Sequence, residues 1–335
     1  MKFGMLLSRG VVAEFGRDIA AAVEAAGSEP DFVHLPDDPQ ARLDSAELAR
    51  VHAAYFTRDL RFTQYVHAFD HAMTATPHLR WVHYISSGMN PTAWLDDLLR
   101  RGVRMSTSTG SNAEPVAQIA LAGLLLMGRR MHVWIRGQQH KQWLPHRDQD
   151  VPPDLAGQTV VVVGLGAVGT RVAFFARTLG LKVIGVRRNP LKPGDPVDRL
   201  VHPGELHSVL PLADFLVMTC PLTAATRGLI DARALASMKP GASLINVARG
   251  EVVDEAALVD ALRRKALAGA YLDVYATEPL PLDSPLWDLP TVVMSPHNAS
   301  SARGNEARGT GIFIENIARL LRDEPLRNEY RAGDE

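Results

Sequence analysis

The sequence predicts an α/β protein whose strands form doubly wound parallel sheets. Three observations carry that prediction: short apolar strands alternate with amphipathic helices, a glycine-rich turn joins a strand to a helix, and 335 residues suit two domains of ordinary size. Apolar residues make up 46% and charged residues 22%, a globular composition. The formal net charge of −1 gives no bulk electrostatic case for nucleic acid or an anionic membrane, and the doublets Arg129-Arg130 and Arg263-Arg264 read as solvated helix faces. Cys220 is the single cysteine, which excludes an intramolecular disulfide and CxxC zinc chemistry. Met1 to Ser8 reads as a first buried strand rather than a signal peptide. The longest apolar stretch, Val116 to Met127, contains Gln118 and is too short to span a bilayer. A reducing, aqueous compartment, the cytoplasm, is expected.

The elements follow in order. Lys2–Leu7 is a strand, and Val11–Ala26 a helix ended by Gly27. Val51–Phe56, Trp81–Ile85 and Val103–Met105 are further short strands with helical segments between them. After a helix around Glu114–Met131 comes a polar stretch with Trp134 and Trp143, whose places stay open between core and site wall. The pair Pro152-Pro153 forbids helix continuation and marks a link. Thr159–Val163 is a β-branched run suited to a strand buried on both faces. Strands are expected again at Lys182–Val186, Phe215–Thr219, Ser243–Val247, Ala270–Val274 and Thr291–Met294, and a last helix at about 305–323.

Gly164-Leu165-Gly166-Ala167-Val168-Gly169 follows the strand Val160–Val163 and runs into a helix at Thr170–Leu179. This strand–turn–helix context turns a weak motif into a dinucleotide site. Gly164 permits the tight turn, Gly166 lets a pyrophosphate approach the backbone, and Gly169 lets the helix pack on the strand. The helix N-terminus offers free N–H groups to the phosphates. The next strand ends in Arg187-Arg188-Asn189, where an NAD-binding fold would carry an acid, and no acid follows until Asp195. A guanidinium there can bind a 2′-phosphate, so NADP(H) is expected over NAD(H), led by Arg187 and Arg188.

Three polar residues lie just beyond strands in the second half of the chain: Arg249 in Asn246-Val247-Ala248-Arg249-Gly250, Glu278 in Thr277-Glu278-Pro279, and His297 in Pro296-His297-Asn298. The carboxyl ends of strands line the ligand crevice of such sheets, so the three can converge. Arginine can hold a substrate carboxylate and polarise the adjacent carbonyl. Histidine can protonate the developing alkoxide, and a nearby glutamate favours the imidazolium. The set suits reduction of a 2-keto acid and needs no metal. His67 and His71 have i, i+4 spacing but no third ligand, and read as surface residues. Cys220 reads as packing.

The run from Gly164 to Ala302 resembles the D-isomer-specific 2-hydroxyacid dehydrogenase family, in its glyoxylate/hydroxypyruvate reductase direction. The matching stretches are Gly164–Gly169, Cys220-Pro221-Leu222-Thr223 with Thr226–Ile230, Lys239–Ala242, Asn246–Glu251, Leu272-Asp273-Val274 with Glu278-Pro279, and Pro296-His297. The resemblance implies that Arg249, Glu278 and His297 are the catalytic trio and that Asp273 lies near the nicotinamide amide. It also implies cofactor contacts from Gly164, Gly166, Ala167, Val168, Gly169, Cys220, Pro221, Thr226, Val247, Ala248 and His297. Ser86–Asn90 is similar to the family's substrate-carboxylate loop, where Ser87 and Gly88 would give backbone N–H donors alongside Arg249 and His297. Gln118-Ile119 departs from the usual Glu-His pair.

The implied fold is two Rossmann-like or flavodoxin-like domains with a cleft between them. A substrate domain would comprise 1–104 and 297–335, and a dinucleotide domain 105–296. The implied assembly is a homodimer through the helix near Glu114. Other readings stay open. A short phosphoglycerate dehydrogenase is one, since the long form would need a further C-terminal domain and the chain ends at Glu335. A dinucleotide-sensing corepressor on the same fold is another. A formate dehydrogenase would usually have glutamine at the Glu278 position.

Overall fold

In the computed structural model, which describes residues 2–330 apart from 62, 87, 88, 90, 91 and 93, every strand expected from the sequence is present and three more join them. In chain order they are β1 (Lys2–Leu6), β2 (Glu29–Val33), β3 (Val51–Phe56), β4 (Trp81–Tyr84), β5 (Arg104–Thr107), β6 (Thr159–Val163), β7 (Lys182–Val186), β8 (Arg199–Val201), β9 (Phe215–Met218), β10 (Ser243–Asn246), β11 (Gly269–Leu272), β12 (Val292–Met294) and β13 (Glu329–Tyr330). The three additions are β2, β8 and β13, and each is an edge strand. An edge strand is exposed on one side and tolerates proline, so Pro30 and the charged ends of β2 and β8 hide them from a pattern search for buried runs.

The chain divides into two units, Met1–Asn112 with Ala302–Glu335, and Ala113–Ser301. The divisions fall after 112 and 301 rather than after 104 and 296. A cut at 104 would strip β5 from β4, with which it pairs in parallel from Trp81↔Arg104 to Tyr84↔Thr107. The first unit has sheet order β13-β5-β4-β3-β1-β2, parallel except for β13, which runs antiparallel to β5. The second has order β12-β11-β10-β9-β6-β7-β8, all parallel. Both are doubly wound, the first with the flavodoxin-like arrangement and the second with the Rossmann arrangement.

Strand side chains alternate between two cores in each unit. Val161 and Val163 of β6 enter one core with Leu216, Met218 and Leu244, while Val160 and Val162 enter the other with Val217, Ile245 and the helix Ala113–Gly128. The uninterrupted apolar reading of β6 follows from burial on both faces. In the first unit Ala54 and Phe56 of β3 face one core, and Ala53 and Tyr55 face the other, where Tyr55 stacks on Phe313 of the helix Gly304–Leu321.

That second core holds a polar inclusion. His83 is wholly buried, with Nδ1 2.7 Å from Ser106 Oγ and Nε2 3.0 Å from Ser108 Oγ. Trp81 Nε1 and Asn316 Nδ2 both donate to Ser106 Oγ, at 2.8 and 3.4 Å. The serine proton is thereby directed at His83 Nδ1, and Nε2 carries the ring hydrogen toward Ser108. Burial outweighs a backbone hydrogen bond near Gly309 and pushes the imidazole down to about 3.

The unfolded chain takes up a proton at His83 below about pH 6.5 while the folded one refuses it until about pH 3, so stability is lost as the pH is lowered through that window. His83 is expected to remove about 2 kcal/mol of unfolding free energy between pH 7 and pH 5. Urea denaturation of wild type and His83→Gln at both pH values checks this: the variant should lose that part of the slope, and an unchanged slope would assign it to other groups.

Candidate active site

The glycine turn after β6 is built by three different constraints. Gly164 has φ +98°, and a methyl group there would lie 2.6 Å from the backbone of Cys220. Gly169 sits where a Cβ would lie 2.1 Å from Gly164 O, so the helix Ala167–Thr178 packs directly on the turn. At Gly166 a Cβ would meet nothing within 4 Å. Gly166 is also the N-cap, and no side chain caps the helix, which begins three residues earlier than its periodicity suggests. Open space above Gly166 together with the uncapped N–H groups of Ala167, Val168 and Gly169 fits a pyrophosphate.

Around this turn the other expected cofactor residues are placed as follows. Cys220 follows β9, the strand beside β6, and burial pushes its thiol up to about 11, so its part is packing against Gly164. The Thr226 hydroxyl donates to Pro221 O at 2.6 Å and accepts from Thr223 N, which braces the 221–226 loop from within. At the end of β7 the two arginines part company. Arg187 is half-buried and forked onto Asp195, with Nη2–Oδ2 2.6 Å and Nη1–Oδ1 3.3 Å, while Nε and Nη2 also donate to Asn189 O and Pro190 O. Arg187, expected to help hold a phosphate, is thus engaged by its own loop. Arg188 is exposed and makes no ion pair among the described residues.

Arg249, Glu278 and His297 follow β10, β11 and β12, three neighbours in one sheet. Asn246 shapes the arginine loop: its Oδ1 accepts from Ala248 N and its Nδ2 donates to Arg249 O, each at 3.0 Å. The Arg249 side chain is exposed, donates only to Ala248 O, and has no acidic partner among the described residues. Gly250 abuts the glutamate loop so tightly that a Cβ would lie 1.9 Å from the carbonyl carbon of Tyr275. Glu278 Oε1 accepts from Tyr275 N at 3.0 Å, and its Oε2 lies 2.6 Å from His297 Nδ1. His297 itself has φ +50°, in the left-handed region that non-glycine residues enter uncommonly.

That conformation is held by Asp273, at 2% exposure. Its Oδ1 accepts from Ser295 Oγ at 2.6 Å and Asn298 N at 2.9 Å, its Oδ2 from Ala299 N at 3.0 Å, and its carbonyl from His297 N at 2.7 Å. The acid expected near a nicotinamide therefore also moulds the histidine turn. Ser295, Tyr271, Tyr275 and Asn246 complete this framework, and the sequence reading missed their roles because each reads as an ordinary strand-end residue. Ser87 and Gly88, expected to contact a substrate carboxylate, lie outside the described residues. Trp134 and Trp143, at 43% and 93% exposure, are not core.

The glycines give a test. Gly166→Ala is expected to keep the fold and weaken dinucleotide binding about tenfold or more, because its methyl enters the space left for the pyrophosphate. Gly169→Ala is expected to lower the melting temperature by about 5 °C or more through collision with Gly164 O. Fluorescence titration with NADPH and a thermal melt separate the two, and equal effects from both variants would refute the division of roles.

Comparison with known proteins bears on the same residues. The family model for the "D-isomer specific 2-hydroxyacid dehydrogenase, NAD binding domain" matches residues 121–299. Glyoxylate/hydroxypyruvate reductase B of Pectobacterium carotovorum subsp. carotovorum (strain PC1) is 35% identical over 254 residues, covering 75% of this chain and 79% of the relative. D-3-phosphoglycerate dehydrogenase of Mycobacterium bovis is 36% identical over 263 residues, 78% of this chain but 48% of the relative. Among solved structures, a D-isomer specific 2-hydroxyacid dehydrogenase from Xanthobacter autotrophicus Py2 in complex with NADPH and MES is similar at a TM-score of 0.71 and 30% identity, over 98% of each chain. With a dinucleotide turn of the required geometry and matches over this length, the chain belongs to the D-isomer specific 2-hydroxyacid dehydrogenase family of nicotinamide-dependent oxidoreductases.

Proposed function

We propose that the protein reduces 2-keto acids, glyoxylate and hydroxypyruvate first among them and bulkier ones next, to D-2-hydroxy acids with NADPH preferred over NADH. The observation that carries the reading is the 2.6 Å contact between His297 Nδ1 and Glu278 Oε2, on a strand end two places from an arginine with no acidic partner among the described residues.

Gly164–Gly169, Cys220, Pro221, Thr226, Val247 and Ala248 would hold a nicotinamide dinucleotide, which would supply the hydride when bound. Asp273 Oδ2 accepts one hydrogen bond, from Ala299 N–H, and keeps capacity to accept a second from a carboxamide N–H. Arg249 offers a forked guanidinium to the substrate carboxylate and draws electron density from the adjoining carbonyl. His297 has Nδ1 committed to Glu278, which leaves Nε2 to deliver one proton to the carbonyl oxygen as it becomes an alkoxide. Glu278, its other oxygen held by Tyr275 N–H, holds the imidazole ring in place for the transfer. In the oxidative direction the same Nε2 takes the hydroxyl proton.

Preference for NADPH rests on Arg188, exposed at the end of β7, with the nearest acid Asp195 neutralised by Arg187. The NADPH held by the Xanthobacter autotrophicus protein, 30% identical, supports it. The family likeness and the single free cysteine support a cytoplasmic site of action. A homodimer, expected through the helix near Glu114, is supported by exposed apolar residues beyond it: Met131, Trp134 and Ile135 share one side of the helix Met131–Gln139 by i, i+3, i+4 spacing, and Trp143, Leu144 and Val151 are exposed as well.

Initial rates with glyoxylate, hydroxypyruvate, pyruvate and phenylpyruvate, each with NADPH and NADH, test the reaction. His297→Ala should lower kcat by about 10² to 10⁴. Arg188→Ala should cut kcat/KM for NADPH about tenfold and spare NADH. Wild type and His297→Ala equally inert across the panel would favour a sensing role, and wild-type preference for NADH would sink the arginine argument alone. Light scattering after gel filtration is expected to give a dimer for wild type and a monomer for the double variant Trp134→Glu, Ile135→Glu; a wild-type monomer would refute the assembly.

A further inference from the structure

We infer that Tyr275 is a positioning residue whose buried side chain and backbone tie the arginine, glutamate and histidine loops into one rigid frame. The inference rests on the proposed roles of Arg249, Glu278 and His297, and it assigns no contact with substrate or cofactor to Tyr275.

Four contacts make the case. The Tyr275 N–H donates to Glu278 Oε1 at 3.0 Å, which fixes the carboxylate whose other oxygen meets His297. The Tyr275 carbonyl lies against Gly250, where a Cβ would come within 2.0 Å of both carbonyl atoms, so the residue following Arg249 rests directly on Tyr275. The hydroxyl donates to Ser295 O at 2.9 Å, and Leu272 O lies 3.1 Å away as a second acceptor. Ser295 stands two residues before His297, and Leu272 closes β11. One side chain therefore spans the ends of β11 and β12, while its backbone spans those of β10 and β11.

The hydroxyl suits the task chemically. Tyr275 is 6% exposed, and burial, reinforced by the charge of Asp273, keeps the phenol protonated well beyond the ordinary range of tyrosine. It is a donor at every working pH, whereas a phenylalanine would fill the same space and leave Ser295 O without this partner. The other tethers of the histidine turn, Ser295 N to Leu272 O and the bonds from Ser295 Oγ, His297 N, Asn298 N and Ala299 N to Asp273, run through residues other than 275. Loss of the hydroxyl should therefore loosen the turn without unfolding it.

Tyr275→Phe tests this with two readouts. The first is the kcat-against-KM split on the keto acid that wild type reduces fastest: kcat should fall about tenfold, while KM for the keto acid and the dissociation constant for NADPH stay within about twofold. The second is amide hydrogen exchange, which needs no turnover: exchange at residues 297–299 should quicken about fivefold or more, with β6 unchanged. Either readout at the wild-type level overturns the inference. If wild type and His297→Ala are equally inert, the proposed function fails, and the exchange measurement alone then decides whether Tyr275 holds the turn.

Discussion

The site depends on one buried carboxylate. Asp273 sits at the end of β11 with almost no exposure, and removing a charge from water costs several kcal/mol unless hydrogen bonds replace the lost hydration. Here the replacement comes from Ser295 Oγ and the backbone N–H groups of Asn298 and Ala299. Satisfying that carboxylate wraps the chain after β12 around it, and the wrap leaves His297 in a left-handed conformation with its ring turned to Glu278. The geometry of the Glu278–His297 contact is thus a by-product of solvating a buried charge with the protein's own amides.

The same economy governs the dinucleotide turn. Strands β6 and β9 are neighbours, and the loops that leave them touch through Gly164 and Cys220. Gly164 has no room for a side chain at the contact, yet a Cβ on Gly166 would meet nothing within 4 Å. Crowding below and vacancy above are two aspects of one packing arrangement, because a helix drawn close by Gly169 points its N-terminus away from the sheet edge. The arginine, glutamate and histidine loops leave β10, β11 and β12 at the same carboxyl edge, so sheet order alone delivers them to one side of the second unit.

How much of this was legible in the sequence depended on periodicity. The β-branched run Thr159–Val163 announced a strand buried on both faces, and the glycine spacing announced its turn. Strand β2 was hidden by Pro30, and β8 and β13 were too short to show a period at all. The trio was singled out because its residue types follow apolar runs. The supports were not: Tyr275, Ser295 and Asn246 act through a hydroxyl or an amide on backbone atoms some residues away, and nothing in linear spacing marks such a bond. Arg187 shows the opposite limit. Its residue type suggested a free cation, but Asp195, eight positions on, folds back to neutralise it, and only a three-dimensional loop reveals that.

The edges of the two sheets carry a consequence for the protein in a crowded solution. An open sheet edge is a template on which a second chain can add a strand, the first step of amyloid-like growth. In the first unit one edge is β2, with Pro30 lacking a donor and Asp31 drawn into an ion pair with Arg50; the other is capped by the two-residue β13. In the second unit the edges are β8 and β12, three residues each. Three of the four present two- or three-residue ladders, and the five-residue β2 is interrupted by a proline and a paired charge, features that disfavour addition of a further strand.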